Sequence, residues 1–571
     1  MIKFMKDSII KNLPDKIFFH ILLIALLGLA AYSNTFNSSF HFDDEPNIID
    51  NPAIKNLTEL LETQVVSLNN RFIGYLTFYL NYRLNGLDVT GYHIFNMAIH
   101  IINAGLVYLL VLLTFNALCL SDKTTLIDNA GRRNSIALFS ALFFVSHPVQ
   151  TQAVTYIVQR FTSLATMFYL LSLVMYIRFR SQQSAISGQQ KLPAPRYRLY
   201  AVSLFSAILA IKTKEISFTL PIMMAIYEFM FFTGKIRKKI LYLMPFFIVM
   251  FLVLLSLAWI DKPFEELTAD LETKTRTETD MSRRDYQLTQ LRVIVSYIRL
   301  IFFPINQNFD YDYPIYNSFF NSDVLLSFIF LLSLFGFAAY LFYSTRHTLH
   351  PARLISFGIS WFFIALAVES SIIPIVDVIN EHRLYLPSVG GFIAITASVF
   401  SIADKLKNSG PMIIEKAIIP VLFLTIIGLT SATYARNMVW QDELSLWSDV
   451  VKESPNKARG YYNLGTTYQD KRQFDMAIEN YTKAVSINPA HIKAYINRGN
   501  AYDEKKQPYK AIEDYLKALS INPDYADAYF NLGVTCFRNG MIDNAISNFR
   551  KACFRGNQKS CESLKQLSES R

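Results

Sequence analysis

Asp43, Asp44 and Glu45 stand in a row within HFDDEPNIIDNPAIKNL, residues 41–57. A carboxylate that reaches a substrate hydroxyl takes its proton as a general base. Two neighbouring carboxylates can instead hold a divalent cation, here at Asp43 and Asp44. Pro46 and Pro52 bias the surrounding backbone away from regular helix. Taken alone, such an acidic run reads as a solvated turn. Further polar groups lie at the ends of later apolar runs: Arg71, then His147, Gln150, Gln152 and Arg160, then Lys214 and Glu215, then Glu369, then Glu381, His382 and Arg383. Singly, each reads as a helix-end side chain or a structural ion pair. Together they are costly ionisable groups at one depth, which a shared polar cavity explains. In that cavity Asp43, Asp44 and Glu45 are the candidate catalytic acids, with Asp44 favoured as base and Asp43 as loop support or cation partner. Arg160, Lys214 and Arg383 are the candidate phosphate clamp. Arg71, His147, Glu215, Glu369, Glu381 and His382 line the cavity in support.

The elements that must position these groups are apolar helices. Of 571 residues, 52% are hydrophobic and 18% charged, against about 25% charged in soluble domains. A spanning helix needs about 20 apolar residues. Such runs lie near 17–34, 92–115, 135–150, 161–179, 199–212, 216–233, 240–260, 323–343, 354–371, 386–403 and 417–435, which predicts about eleven spans. The stretch 288–305 is interrupted by Arg292 and Arg299 and ended by Pro304, so it reads as an amphipathic interfacial helix. The net charge of +10 sits largely in short loops: Arg132 and Arg133, then Arg178, Arg180 and Arg198, then Lys235 to Lys239, then Arg353, then Lys405. That pattern is a topology signal rather than a nucleic-acid footprint. It places the N-terminus, with its basic flank from Lys3 to Lys16, in the cytoplasm, and loops 35–91 and 261–322 and the C-terminal tail outside. No cleavage site follows 17–33, so no cleaved leader is expected. The localisation implied is a multi-pass membrane protein, with a bacterial inner membrane as the expected setting.

The tail keeps a period of 34 residues: Pro455, Pro489 and Pro523; Gly465, Gly499 and Gly533; Ala477, Ala511 and Ala545; Tyr481, Tyr515 and Phe549. This is the tetratricopeptide (TPR) pattern. Small residues fall where paired helices cross, and aromatics fill the gaps between them. The boundaries are 1–440 for the membrane domain, 441–457 for a linker helix, and 458–491, 492–525 and 526–559 for the repeats, followed by a C-terminal cap. The fold class is all-α: a polytopic helical membrane domain followed by an α-solenoid. Solenoids of this kind offer a concave surface to polypeptide, although a spacer or dimerisation role fits the same pattern. There is no P-loop, dinucleotide fingerprint or zinc motif.

The chain resembles the TMTC-type O-mannosyltransferases, which join a multi-span glycosyltransferase-C fold to TPR repeats, and bacterial membrane proteins of the same layout. The segments that carry the resemblance are FDDEPNIIDNPAI at 42–54, RFIGYLTFYLNYRL at 71–84, GYHIFNMAIH at 91–100, HPVQTQAVTYIVQR at 147–160, KTKEISFTLP at 212–221, NFDYDYP at 308–314 and EHRLYLPSVG at 381–390. The tail entry at 440–465 matches as well. The resemblance implies an inverting glycosyltransferase that moves a sugar such as mannose from a polyprenyl phosphate to Ser or Thr of an extracytoplasmic protein. It implies that an acid of the first external loop, Asp43 or Asp44, is essential. The TPR array would hold the acceptor protein. The chain departs from the family pattern at Arg71-Phe72-Ile73 and at Gln152, which bears on the donor more than on the fold. Cys553 and Cys561 are spaced like the bridged pairs of Sel1-like repeats. They read as a disulfide where the compartment allows it, or as two small buried hydrophobes. Two other readings compete: a membrane-anchored scaffold, and a transporter of lipid-linked glycan. About eleven spans exceed what an anchor needs, and a transporter would gather its charges at the bilayer midplane.

Overall fold

A computed structural model describes residues 15–63, 71–121, 130–185, 195–258, 281–345, 352–370, 374–409 and 413–569. The basic flank through Lys11 lies outside them. Among the described residues every regular element is helical. The chain forms two compact units, one of residues 1–307 and 313–441, the other of 308–312 and 442–571.

Helices of ten residues or more in the first unit begin with α1 (Asp15–Ala31), α2 (Phe72–Asn85), α3 (Val89–Ser121) and α4 (Ala130–Ser146). They continue with α5 (Arg160–Ala185), α6 (Pro195–Ile211), α7 (Leu220–Phe231), α8 (Ile236–Ala258) and α9 (Arg283–Phe302). The last four are α10 (Ser322–Ser344), α11 (Ala352–Leu366), α12 (Tyr385–Ser409) and α13 (Ile413–Asn437). A helix therefore stands at each of the eleven expected span positions. Six stretches are long and apolar enough by themselves to cross a bilayer: Val89–Asn116, Ile157–Gln183, Ile236–Leu255, Ser322–Ser344, Glu381–Leu406 and Ala417–Trp440. Lys16–Ala31, Tyr197–Ile211 and Ala352–Leu366 are apolar but shorter. The region 199–233 shows why the lengths differ. Its apolar run is cut by Lys212 and Lys214, and a 3-10 turn at Glu215–Thr219 separates α6 from α7. Helices α8, α10 and α13 expose long apolar side chains such as Leu252, Leu326 and Leu424. On a chain of this composition, that marks surface adapted to lipid.

Two close crossings fix the core. A β-carbon on Gly358 would lie 2.5 Å from the Gly390 carbonyl oxygen, and one on Gly390 would lie 2.4 Å from that of Gly358. Helices α11 and α12 therefore touch backbone to backbone, as small residues permit in membranes. Ser172 of α5 and Ser203 of α6 each donate to the other's carbonyl at 2.7 Å. Helix α9 buries Tyr286, Val293, Tyr297 and Leu300 on one side. It ends before Pro304, as the sequence implied.

The second unit opens with α14 (Glu443–Glu453), started by a capping box between Asp442 and Ser445. The helix pairs are α15 (Ala458–Asp470) with α16 (Phe474–Ile487), α17 (Ile492–Glu504) with α18 (Pro508–Ile521), and α19 (Ala526–Arg538) with α20 (Ile542–Phe554), followed by α21 (Gln558–Glu569). The 34-residue period has a direct cause. A β-carbon on Gly465, Gly499 or Gly533 would fall 2.7–2.8 Å from the ring of Tyr481, Tyr515 or Phe549. Residues 308–312 pack into this unit, where Asp310 accepts from Arg459 Nε at 2.6 Å and Nη2 at 2.5 Å and also pairs with Lys457. Cys553 and Cys561 form a disulfide with Cα atoms 4.9 Å apart.

Candidate functional site

The loop after α1 is built around a strained turn. Phe42 has φ 40°, in the left-handed region that costs a residue with a β-carbon about 1–2 kcal/mol. This turn sends the two aspartates apart. Asp44 is fully buried. Its Oδ2 accepts the His41 backbone N–H at 2.9 Å, and its Oδ1 accepts that of Val158 at 2.7 Å. Asp43 is half-buried and Glu45 exposed. The backbone N–H of Asp43 donates to the Tyr156 hydroxyl at 2.8 Å, and that hydroxyl also bonds the Asp43 carboxylate. Tyr156 stacks on Trp440 at 5.5 Å, and the Trp440 carbonyl accepts from the His41 ring at 2.7 Å. The sequence reading favoured Asp44 as the group that meets substrate and Asp43 as loop support. In the structure both Asp44 oxygens hold backbone amides, and Asp43 is the more open of the two.

Burial is the main force on Asp44 and raises its pKa to about 7, against the opposing pull of the two amides. The folded value then exceeds the unfolded one, so the native state keeps its proton longer. Stability from this group is present below about pH 4 and is lost as pH rises through about 7. The thermal midpoint of the solubilised protein should fall across that window, and Asp44→Asn should flatten the fall. An unchanged slope in the variant would assign the pH dependence elsewhere. Burial and the neighbouring carboxylates push the Tyr156 phenol well above its usual range, so it stays a proton donor at neutral pH.

The segment 147–160 links this loop to the turn ahead of α12. Tyr156 and Val158 hold the two aspartates, and the Gln152 side-chain oxygen accepts the His382 backbone N–H at 2.7 Å. Gln307 bridges the Pro148 carbonyl at 3.1 Å and Glu381 at 2.7 Å. The charges of Lys214, Arg383 and Arg71 all act on the His382 ring. Lys214 pairs with Glu369 at 2.9 Å and donates to Thr162 at 2.9 Å. Arg71 faces Glu215 at 3.7 Å, with both partly exposed. The buried Arg383 donates to the carbonyls of Val378 and Asp377 at 3.2 and 2.9 Å. His382 Nδ1 is buried without a partner among the described residues.

Arg160 stands apart from this group. Its guanidinium is fully buried. It donates to Asn96 at 2.6 Å, to Asn81 at 2.5 Å and to the Tyr92 carbonyl at 3.1 Å. Phe78 and Phe95 lie 4.4 and 4.6 Å from its centre. Its hydrogen-bonding capacity is spent inside the protein. His147 is likewise internal: its ring donates to the Ile301 carbonyl at 3.0 Å and accepts the Val149 N–H. The sequence reading missed Tyr156, Gln307, Tyr286 and Tyr297. Tyr286 donates to the Glu369 carbonyl at 2.9 Å, and Tyr297 to that of Asn380 at 3.0 Å. The only signal for them was an uncharged polar side chain inside a segment already singled out. Among the described residues no group of three His, Cys, Asp or Glu is placed to hold a metal.

The fold and this polar cluster define a multi-span helical membrane protein that carries a TPR solenoid. A tetratricopeptide-repeat family model matches residues 458–491 and 492–525, and a second matches 514–547. The chain is 25% identical over 506 residues to the protein O-mannosyl-transferase F38B6.6 of Caenorhabditis elegans, covering 82% of this chain and 62% of that one. It is 24% identical over 506 residues to human protein O-mannosyl-transferase TMTC3, covering 82% and 51%. The chain thus spans between half and two thirds of the length of these relatives. Among solved structures, the first TPR domain of Spaghetti (RPAP3) bound to an HSP90 peptide is 25% identical, with a TM-score of 0.19, over 20% of this chain and 92% of that one.

Proposed function

We propose that the protein is a membrane glycosyltransferase that moves a sugar, mannose in keeping with its relatives' names, from a polyprenyl phosphate to Ser or Thr of an extracytoplasmic polypeptide. The observation that carries the reading is the half-buried Asp43, bonded to Tyr156 and set in one unit with Lys214, His382 and Arg383. In this reading Asp43 takes the proton of the acceptor hydroxyl, and Tyr156 holds the carboxylate in place. Negative charge that builds on the leaving phosphate is met by Lys214 and Arg383. A single displacement inverts the anomeric centre. Similarity over 82% of the chain to proteins named as O-mannosyl-transferases supports the reaction class. The domain division of the sequence reading, with TPR repeats that carry the acceptor, completes the proposal. Tethering of that kind raises effective concentration to roughly mM.

The proposed topology has the N-terminus in the cytoplasm and the TPR array outside. It rests on the alternating basic loops and is supported by the Cys553–Cys561 bridge, which an oxidising compartment sustains. A reporter fused after Arg571 should behave as extracytoplasmic, and a cytoplasmic signal would overturn the orientation. The reaction is tested with purified protein in lipid discs, given a polyprenyl phosphate mannose and a Ser/Thr peptide. Mannosyl peptide is the expected product. Its absence with active, folded protein across several lipid-linked sugars would leave the scaffold reading in its place.

A further inference from the structure

The segment NFDYDYP at 308–314 has no part in the reaction described so far, yet its course through the fold is unusual. The chain belongs to the first unit through Gln307, gives 308–312 to the second, and returns at Tyr313. Gln307 is buried, and its side-chain amide donates twice in the candidate site, to Glu381 and to the Pro148 carbonyl. The turn that delivers it is tight. Asn306 has φ 54°, in the left-handed region that asparagine enters more readily than most residues with a β-carbon. On the return, the Tyr313 hydroxyl shares a hydrogen bond of 2.8 Å with Ser296 of α9. The excursion therefore starts just after α9 and is fastened back to it.

Within the second unit each of the five residues is held. Ser454 Oγ, at the end of α14, accepts the Asn308 side-chain amide at 2.6 Å and the Asp312 backbone N–H at 2.8 Å, so one hydroxyl ties both ends. The Asn308 side-chain oxygen accepts the Asp310 N–H at 3.2 Å. The Phe309 ring meets that of Trp447 edge-on at 5.6 Å. Lys457 donates to the Tyr311 carbonyl at 2.7 Å. Asp310 is buried and pairs with both Arg459 and Lys457, which are partly exposed. A carboxylate met by a guanidinium fork and an ammonium is fixed in direction as well as place. Neighbouring Cα atoms are about 3.8 Å apart, so a grip on Asn308 leaves Gln307 almost no slack.

We propose that residues 308–312 are a positioning strap: the second unit grips them at Asn308 and Asp310, and the peptide link to Gln307 carries that grip to Glu381 and the Pro148 carbonyl in the candidate site. Asp310 is then a positioning residue for sugar transfer. The TPR unit becomes a part on which the order of the site depends, as well as a carrier of acceptor. The effect on rate rests on the transferase reading above. The effect on the order of residues 381–384 does not.

The test uses the full chain in lipid discs, with Asp310→Asn, Gln307→Leu and the double variant beside wild type. Transfer is measured from polyprenyl phosphate mannose to a short Ser/Thr peptide, and backbone hydrogen exchange is followed by mass spectrometry. Asp310→Asn should lower kcat by roughly tenfold or more, as misplacement far from the chemistry does. The double variant should lose no more than Gln307→Leu alone, because a residue that acts through another adds nothing once that other is gone. Losses that multiply would show that Asp310 acts elsewhere and would overturn the strap. Exchange in Asp310→Asn should quicken at 381–384 as well as at 442–470. A change confined to 442–470 would make Asp310 a local support of the TPR entry and would also overturn the proposal. Arg459→Gln leaves Lys457 on Asp310 and should give the same pattern at smaller size, which covers the case of an unstable Asp310→Asn. If wild type transfers no sugar, the enzyme reading falls, and the exchange at 381–384 still decides the strap.

Discussion

Asp43→Asn should lose most sugar transfer, by about 10²–10⁴-fold, while the protein still folds and still binds its lipid-linked donor. The substitution keeps the shape of the side chain and its bond to the Tyr156 hydroxyl, and removes only its basicity. Asp44→Asn gives a different expected result. Asp44 is fully buried and accepts two backbone amides, so placing an NH₂ against one of those donors disturbs the loop and lowers stability before it touches chemistry. The two variants are separated by measuring kcat, donor affinity and the thermal midpoint of each in the same preparation. A near-full rate in Asp43→Asn would remove the general-base role from Asp43, and a near-full rate in both variants would remove it from the loop. A stable but inactive Asp44→Asn beside an active Asp43→Asn would restore the assignment that the sequence first favoured.

Arg160→Met should cost several kcal/mol of stability and most of the yield of folded protein. The oxygens of Asn81 and Asn96 and the Tyr92 carbonyl would lose their donor in a buried site, at about 1–3 kcal/mol for each unsatisfied group. The ring contacts with Phe78 and Phe95 would go with it. Arg160→Lys should recover only part of the loss. A lysine keeps the charge but cannot present the planar fork that meets three acceptors at once. The checks are the thermal midpoint in detergent and the monodisperse fraction. If Arg160→Met were stable and failed only in donor binding, the guanidinium would belong to the phosphate clamp after all.

The site was half legible in the sequence. Costly charges at the ends of apolar runs singled out Lys214, Glu369, His382 and Arg383, and the charges of Lys214 and Arg383 do act together on the His382 ring. The same argument also swept in Arg160 and His147, which turn inward. Depth along a helix is readable from position in the run. The direction a side chain takes at that depth depends on which neighbours offer acceptors, and for Arg160 those are Asn81 and Asn96, far away in sequence.

What the sequence determined alone was whatever is written as local repetition. The 34-residue period fixed the TPR helices, because each glycine must admit the aromatic that follows it in the same repeat. Apolar length placed a helix at each of the expected run positions for the same reason: both signals concern a residue and its near neighbours. The tertiary structure decided the rest. It decided which aspartate is buried, because Val158 and Tyr156, more than a hundred residues away, supply the amide and the hydroxyl that sort Asp44 from Asp43. Two adjacent carboxylates are equivalent in a chain with no fold, and they become different only when partners from elsewhere in the chain arrive on opposite sides of them.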